Sequence, residues 1–485
     1  MMRGMKQVAT WCIAGLLAGC TVGPNYQTPH MTGLEHWGRE PGAPSATYAG
    51  EVDVTWWRSF HDEELNHLVE RLGQQNLALQ EAATRISAAR SQVQIAAAQG
   101  LPSVNWAGAY TWTQQSTRGF LSLAEPRPGA NLQYNYFTNM ASAGWDLDLF
   151  GMVRRAVEAG KAEADEAVAA RRAVALASVS DIVSAYMQLR GTQEQRALTE
   201  RNLALTQHDL ALVQDRMRDG AATELELAEA KARVASTHSA LAPLRTEEAA
   251  LMNAIASLLA LPPRALEAEL APVKPQPVVP AAVPVGVPSS LAQRRPDVML
   301  ADARLHAATA RVGVAKASFY PDIVLAGNLG TQSLSAGDFF LPVAKYFTLG
   351  PTLNVPIFEG GRLRGELHLR EAAQKEAALA YRQTVLDAWR DVDDALTGYA
   401  QVQEQWAQLA EAVKQNRLAL VAARQRYVAG AVPFLEVDEA QARVLASETS
   451  LAAVQTQMNT QLVDLYRALG GGWQFTEALA SSRKD

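Results

Sequence analysis

Long apolar runs are missing from this chain. No stretch approaches the roughly 18 consecutive apolar residues that a membrane-spanning helix needs, so a helical membrane anchor is not expected. Cysteine is nearly absent as well, with two in 485 residues. The eight histidines are scattered and none falls in a His-Glu-x-x-His spacing. No Gly-x-Ser-x-Gly and no phosphate-binding glycine loop occurs. Gly470-Gly471-Gly472 follows a helical pattern and reads as a helix stop. The usual catalytic machinery is therefore lacking, and no enzyme is expected. A formal net charge of −6 gives no footprint for nucleic acid.

What is present begins at the N-terminus. Arg3 and Lys6 precede a short apolar run, Val8 to Ala18, and then Leu17-Ala18-Gly19-Cys20. This reads as a signal peptide over residues 1–19, ending at a bacterial lipobox with Cys20 as the acylated first residue. Cleavage would leave Cys20 as the one cysteine, so no intramolecular disulfide is expected. Thr21 is compatible with sorting to the outer membrane. The covalent lipid on Cys20 is the one attached group expected, and no metal or cofactor is. Two or more acyl chains suffice for a stable anchor.

The chain repeats itself. Leu79–Pro102 aligns with Val298–Pro321, with Ala82/Ala301, Arg85/Arg304, Val93/Val312 and Pro102/Pro321 in step. Further on, Arg216-x-x-x-Gly220-Ala221 matches Arg426-x-x-x-Gly430-Ala431, and Leu225, Glu226 and Glu229 match Leu435, Glu436 and Glu439. Between the halves, Pro272 to Pro288 holds six prolines in 17 residues, an extended linker. The expected organisation is an N-terminal segment over 20–75, a first repeat over 76–271, the linker over 272–294, a second repeat over 295–468 and a tail over 469–485.

Each repeat reads as an Ala-rich helix (76–100, 296–319), two strands, a very long helix (152–217, 361–427), a glycine turn and a returning helix (223–260, 434–468). About 66 helical residues span about 100 Å at 1.5 Å per residue. In the second long helix Val385, Trp389, Val392, Leu396, Tyr399, Val402, Trp406, Leu409 and Val413 step by threes and fours, a coiled-coil seam.

The strand candidates are 103–113, 138–150, 322–330 and 347–357. Val104, Trp106, Tyr110 and Trp112 share one face of the first, opposite Asn105, Ala107, Ala109, Thr111 and Thr113. Such segments of about ten residues, apolar with aromatics on one face, fit an outer-membrane barrel. A soluble half-buried sheet alternates in the same way, and a pore-free coiled-coil lipoprotein scaffold remains a rival. Bacterial barrels have at least eight strands, and an open edge cannot face lipid. Two chains would supply eight strands and three would supply twelve.

Four segments carry a resemblance: Cys20-Thr21-Val22-Gly23-Pro24-Asn25-Tyr26, Trp56-Trp57-Arg58-Ser59-Phe60, Arg294-Arg295-Pro296-Asp297, and Pro356-Ile357-Phe358-Glu359-Gly360-Gly361-Arg362. With these the chain resembles the TolC-like outer membrane factor family, in its OprM- and NodT-type lipoprotein branch. The resemblance implies a fold that is mainly α with membrane β: a homotrimeric, twelve-stranded outer-membrane barrel continuous with a long periplasmic α-helical barrel and a mixed equatorial domain. It implies a passive channel that takes drugs or other small toxic compounds from a periplasmic adaptor and an inner-membrane pump of the proton-driven RND type. Protein secretion with an ATP-driven pump is the alternative.

The turns would form the periplasmic end, with Gly220, Ala221, Gly430 and Ala431 as the adaptor-contacting tips. In the resembling family, acidic residues at the positions of Glu436 and Glu439 line the closed entrance, commonly as Asp or with only one of the two acidic. Arg426 and Tyr427 match positions that help hold it shut, and Leu435 matches an apolar one. By the repeat, Glu226, Glu229 and Arg216 are the first-half candidates. Plain helix chemistry competes for some of these residues. Thr223-x-x-Glu226 is a capping box, and Pro433 suits a first helical turn.

Overall fold

The structure is a computed structural model that describes residues 21–29, 47–48, 50–116, 133–220, 222–280, 282–288, 291–429 and 431–481. The described residues fall into two compact units, one drawn from those within 1–29, 86–166 and 302–380, the other from those within 30–85, 167–301 and 381–485. The helices in chain order are α1 (Glu63–Gln75), α2 (Leu77–Ala98), α3 (Met152–Arg218), α4 (Glu224–Ser239), α5 (Leu241–Leu258), α6 (Glu267–Leu270), α7 (Leu291–Arg294), α8 (Pro296–Ala317), α9 (Arg362–Val428), α10 (Phe434–Ala468) and α11 (Trp473–Ser481). The strands are β1 (Thr47–Tyr48), β2 (Ser103–Gln114), β3 (Gln133–Asp146), β4 (Val283–Pro284), β5 (Asp322–Ser333) and β6 (Lys345–Asn354). None of the described helices is long and apolar enough to cross a membrane.

The first unit carries one antiparallel sheet in the order β2-β3-β5-β6. Its register aligns the apolar positions across all four strands. Trp106 faces Ala141, Ala141 faces Leu329 and Leu329 faces Phe347; one step along, Val104, Ala143, Gly327 and Leu349 form the next row. Between these rows run Asn105, Ser142, Asn328 and Thr348, and Asn328 donates to Thr348 Oγ1 at 3.1 Å. Side chains alternate faces along a strand, so one face is an apolar band and the other is polar. The band is bare: Trp106, Tyr110, Phe347 and Leu349 are all more than half exposed. Both β2 and β6 keep a free edge.

Two strand ends fall short of expectation. β3 stops at Asp146, not at 150, although Asp146-Leu147-Asp148-Leu149 goes on alternating. Asp146 accepts from the Asp148 amide at 2.8 Å, and Asp148 accepts from the amides of Val153 and Arg154 at 2.9 and 3.0 Å. The second aspartate thus satisfies the free donors at the start of α3, and the alternation belongs to a helix entrance. β6 runs 345–354 in place of 347–357 because Pro356 brings no amide and constrains Val355. At the other strand ends the sheet extends further than the candidates: β3 begins at Gln133, not at 138, and β5 runs on to Ser333, not 330. Residues 117–132 lie outside the described residues.

Residues 21–29 of the N-terminal segment belong to the sheet-bearing unit. Val22 donates to Phe150 O at 3.2 Å. The buried Arg155 binds Val22 O at 3.1 Å, Gly23 O at 3.3 Å and Asn25 Oδ1 at 2.8 Å. Tyr26 stacks on His306 at 4.5 Å and donates to Asp302. Gly23 has φ +97, and a Cβ there would lie 2.5 Å from the Gly313 backbone. Replacing Gly23 by Ala should release this segment, at about 1–3 kcal/mol for the strained backbone plus the clash. Limited proteolysis should then cut near residue 25 far faster than in the parent.

In the second unit Trp56 and Trp57 are buried; Trp56 stacks on Tyr466 at 4.8 Å and donates to Gly471 O at 3.1 Å. Arg295 of the Arg-Arg-Pro-Asp segment is buried among Asp297, Asp391 and the carbonyls of Ala388 and Ala468. Burial opposes its charge, but the two aspartates outweigh that and raise its pKa. The linker is extended over 272–280, pairs β4 with β1 in parallel, and becomes helical at α7. Within the C-terminal tail, Trp473–Ser481 form α11. The first return helix, expected unbroken over 223–260, divides at Ala240. Pro243 follows three residues later and has no N–H for the carbonyl of Ser239.

Candidate functional site at the hairpin turns

The long helices α3 and α9 have 67 residues each, close to the expected rods. Along α9 Val385, Val392, Tyr399, Val402 and Val413 are buried, the pattern of a packed seam. The first turn follows Arg218. Asp219 donates to Asp215 O, and Gly220 donates to Met217 O with φ +70, the left-handed stop that glycine takes without strain. In the second turn Ala431 N reaches back to Arg426 O at 2.9 Å. Ala221 and Gly430 lie outside the described residues, as does Cys20, and the side chain of Tyr427 is not described.

The two return helices start differently. Thr223 is the N-cap of α4 in a full capping box: its amide donates to Glu226 Oε2 at 2.7 Å, and the Glu226 amide donates to Thr223 Oγ1 at 3.3 Å. Those hydrogen bonds, with Arg216 contributing at longer range, hold the Glu226 carboxyl below its ordinary pKa. Pro433 is itself the N-cap of α10, one place before the first turn where it was expected, and no side chain caps this helix. Glu436 is thereby free of capping duty and pairs with Arg426 at 3.6 Å. Glu439 pairs with Arg443 at 3.7 Å, one turn along its own helix, and not with Arg426. Glu229, Leu225 and Leu435 are exposed. Arg216 acts on Glu226 through its charge, lowering the carboxyl's pKa.

The capping box gives a signed prediction. A carboxyl whose folded pKa lies below its unfolded value adds stability above the unfolded pKa and loses it as pH falls through the folded one. Protection of the amides of residues 224–226, taken relative to the unfolded-chain rate at the same pH, should therefore fall on acidification below the ordinary carboxylate range. Thr223→Ala should lower it several-fold at neutral pH, through loss of the cap, and leave residues 434–437 unchanged.

Sequence reasoning missed a cluster one turn further in. Arg233 of α4 contacts Asp438 of α10 and so joins the two hairpins. Arg424 of α9 donates to Gln441 of α10 at 3.2 Å. Asp209 of α3 lies among His208, Arg424, Asp438 and Arg233; burial is the main cause of its raised pKa, and Asp438 adds to it. Each of the four helices thus gives a polar side chain to one layer, with Val437, Ala440 and Val444 buried beneath α10. The signal available was a break in the repeat. Glu226/Glu436 and Glu229/Glu439 are shared, whereas Asp438 stands where the first copy has Ala228. Among the described residues no group of His, Cys, Asp and Glu is arranged to hold a metal ion.

An apolar-banded sheet of four strands with two free edges, on a duplicated chain with helices about 100 Å long, defines a subunit of an outer-membrane channel that also reaches into the periplasm. The family comparison agrees. Residues 68–261 and 287–471 match the model of the outer membrane efflux protein family, and the chain belongs to that family. It is 32% identical to outer membrane protein OprJ of Pseudomonas aeruginosa, over 98% of both chains. It is also 32% identical to nodulation protein T of Rhizobium leguminosarum bv. viciae, over 94% of this chain and 92% of that one. The solved outer-membrane channel OprN superposes with a TM-score of 0.86 at 30% identity, covering 94% of this chain and all of OprN. The protein is an outer membrane efflux channel.

Proposed function

We propose that three copies close one twelve-stranded barrel and conduct small toxic compounds passively out of the cell. The compounds come from a periplasmic adaptor, docked at Gly220–Ala221 and Gly430–Ala431, and from an inner-membrane pump of the proton-driven RND type. Cys20 carries the lipid anchor. The observation that carries this reading is the sheet itself: four strands leave two unpaired edges, and an edge cannot remain open in lipid. Relatives at similar identity are named for cation efflux and for toluene efflux, so the shared fold does not choose a cargo. The chain needs no chemistry of its own, because the pump supplies the energy.

In this reading the turn residues form the periplasmic gate. Glu226, Glu229, Glu436 and Glu439 of three copies ring the narrow end, and their mutual repulsion is balanced where Arg426 meets Glu436. Arg233 with Asp438 adds a second tie, between hairpins.

The test is a photo-crosslinker at Ala431 in living cells, with captured proteins identified by mass spectrometry. An adaptor together with a proton-driven pump is the expected catch. An adaptor with an ATP-driven transporter would move the function to protein secretion. Unheated samples should run as trimers and conduct ions in a planar bilayer; a monomer without conductance would leave only a scaffold.

A further inference from the structure

β2 begins at Ser103 and β6 finishes at Asn354, and the ladder Ser103–Gly144, Asp146–Val324, Asp322–Asn354 sets both at the same end of the sheet. Beyond β6 come Val355-Pro356-Ile357-Phe358. Ile357 and Phe358 are 93% and 89% exposed, two adjacent large apolar side chains with almost no cover from their own chain. Gly360 and Gly361 follow with φ +56 and +89, and the space around both is open. Glu359 is satisfied locally by Arg362 at 3.0 Å, so the charge beside Phe358 needs no further partner.

At the other edge, beside the start of β2, lies a cavity of about 560 Å³. Ala97 of α2, Trp145 at the end of β3, Leu147 and Leu149 just beyond it, and Val153 and Val157 of α3 give it an apolar wall; Asp146, Asp148, Arg154, Glu158 and Lys161 complete the lining. The exposed pair and the cavity lie on opposite edges of a four-stranded sheet, about 14 Å apart at the usual strand spacing, so one chain does not fill its own cavity. A second copy whose β6 joins the free edge of β2 has the right geometry. Antiparallel pairing carries its residues 355–358 to the Gly100–Ser103 end, where the cavity opens.

We propose that Ile357 and Phe358 of each protomer plug the cavity between α2 and α3 of the next copy. The plug seals the seam where strands hand over to helices, and burial of the pair drives it. This rests on the reading that copies close one barrel, and it adds the contact that locks each copy to its neighbour below the strands.

Cysteine cross-linking separates the two ideas. The full-length protein in outer membranes would carry Phe358→Cys with Ala97→Cys in one variant and Asn354→Cys with Ser103→Cys in another. Under mild oxidation both pairs should give covalent dimers and trimers on a denaturing gel, which neither single substitution gives. Cross-linking at 354/103 alone overturns the plug and leaves the closed barrel standing; lipid or detergent would then be the occupant of the cavity. Failure of both pairs overturns the closed barrel and the plug with it. As a second check, Ile357→Asn with Phe358→Asn should abolish the heat resistance of the trimer while the 354/103 cross-link still forms. Unchanged heat resistance counts against the plug.

Discussion

Replacing Arg190 with Met should destabilise the helical unit by about 3–5 kcal/mol, the cost of leaving a buried charge without its partner. Arg190 is completely buried on α3. Its guanidinium contacts Glu64, binds Gln193 Oε1 at 2.6 Å and Pro272 O at 2.9 Å, and lies over the Tyr186 ring at 4.9 Å. Only its Nε lacks a hydrogen bond. Glu64 keeps Lys274 at 2.8 Å, so part of its charge stays compensated and the loss should sit at the lower end of the range. Tyr186 donates a hydrogen bond to Asp62, the N-cap of α1, at 2.7 Å; burial above all, and then this hydrogen bond, raise its pKa, so it stays neutral. One arginine thereby ties α1, α3 and the start of the proline-rich linker. The test is the denaturant midpoint of purified protein followed by helical circular dichroism. Arg190→Lys should recover less than half of the loss, because one ammonium cannot reproduce a fork that serves a carboxylate, an amide and a carbonyl together. A midpoint unchanged in Arg190→Met would mean that the network carries no stability.

The contrast between this network and the rods shows what the sequence carries. The alternation of Val104, Trp106, Tyr110 and Trp112 marks β2 because period-2 patterning reflects a local backbone geometry. The seam of α9 is visible for the same reason at period 3.6. Arg190 gives no such signal: an arginine in a long helix is far more often a solvated surface residue, and its partners are 126 and 82 residues away in sequence. The end of β3 was obscured by a coincidence of pattern, since the aspartates that cap α3 also continue the strand alternation. At the turns, Glu226 was legible as a cap from Thr223. The Arg233–Asp438 contact was not, because it spans 205 residues and depends on how the two hairpins are placed side by side.

Loss of that contact together with its neighbour should produce the larger functional effect. Arg233→Ala with Arg426→Ala removes two cations that form ion pairs with α10 near the second turn, one with Asp438 and one with Glu436. Both arginines are exposed enough that each pair contributes only about 0.2–1 kcal/mol. In a trimer that opens in concert, each substitution acts three times. At about 0.5 kcal/mol per pair, a single substitution shifts the closed–open balance by about 1.5 kcal/mol, roughly tenfold, and the double by about 3 kcal/mol, roughly a hundredfold. Conductance of the purified channel in a planar bilayer should rise in that order. Glu439→Gln should do less than either arginine change, because Glu439 spends its charge on Arg443 within its own helix. Asp209 lies in the same layer, where burial raises its pKa; its protonation removes its attraction to His208, Arg424 and Arg233 together with its repulsion of Asp438. If the double arginine variant conducts no better than the parent, these pairs do not hold the entrance, and the work of closure falls to the apolar face of Val437, Ala440 and Val444.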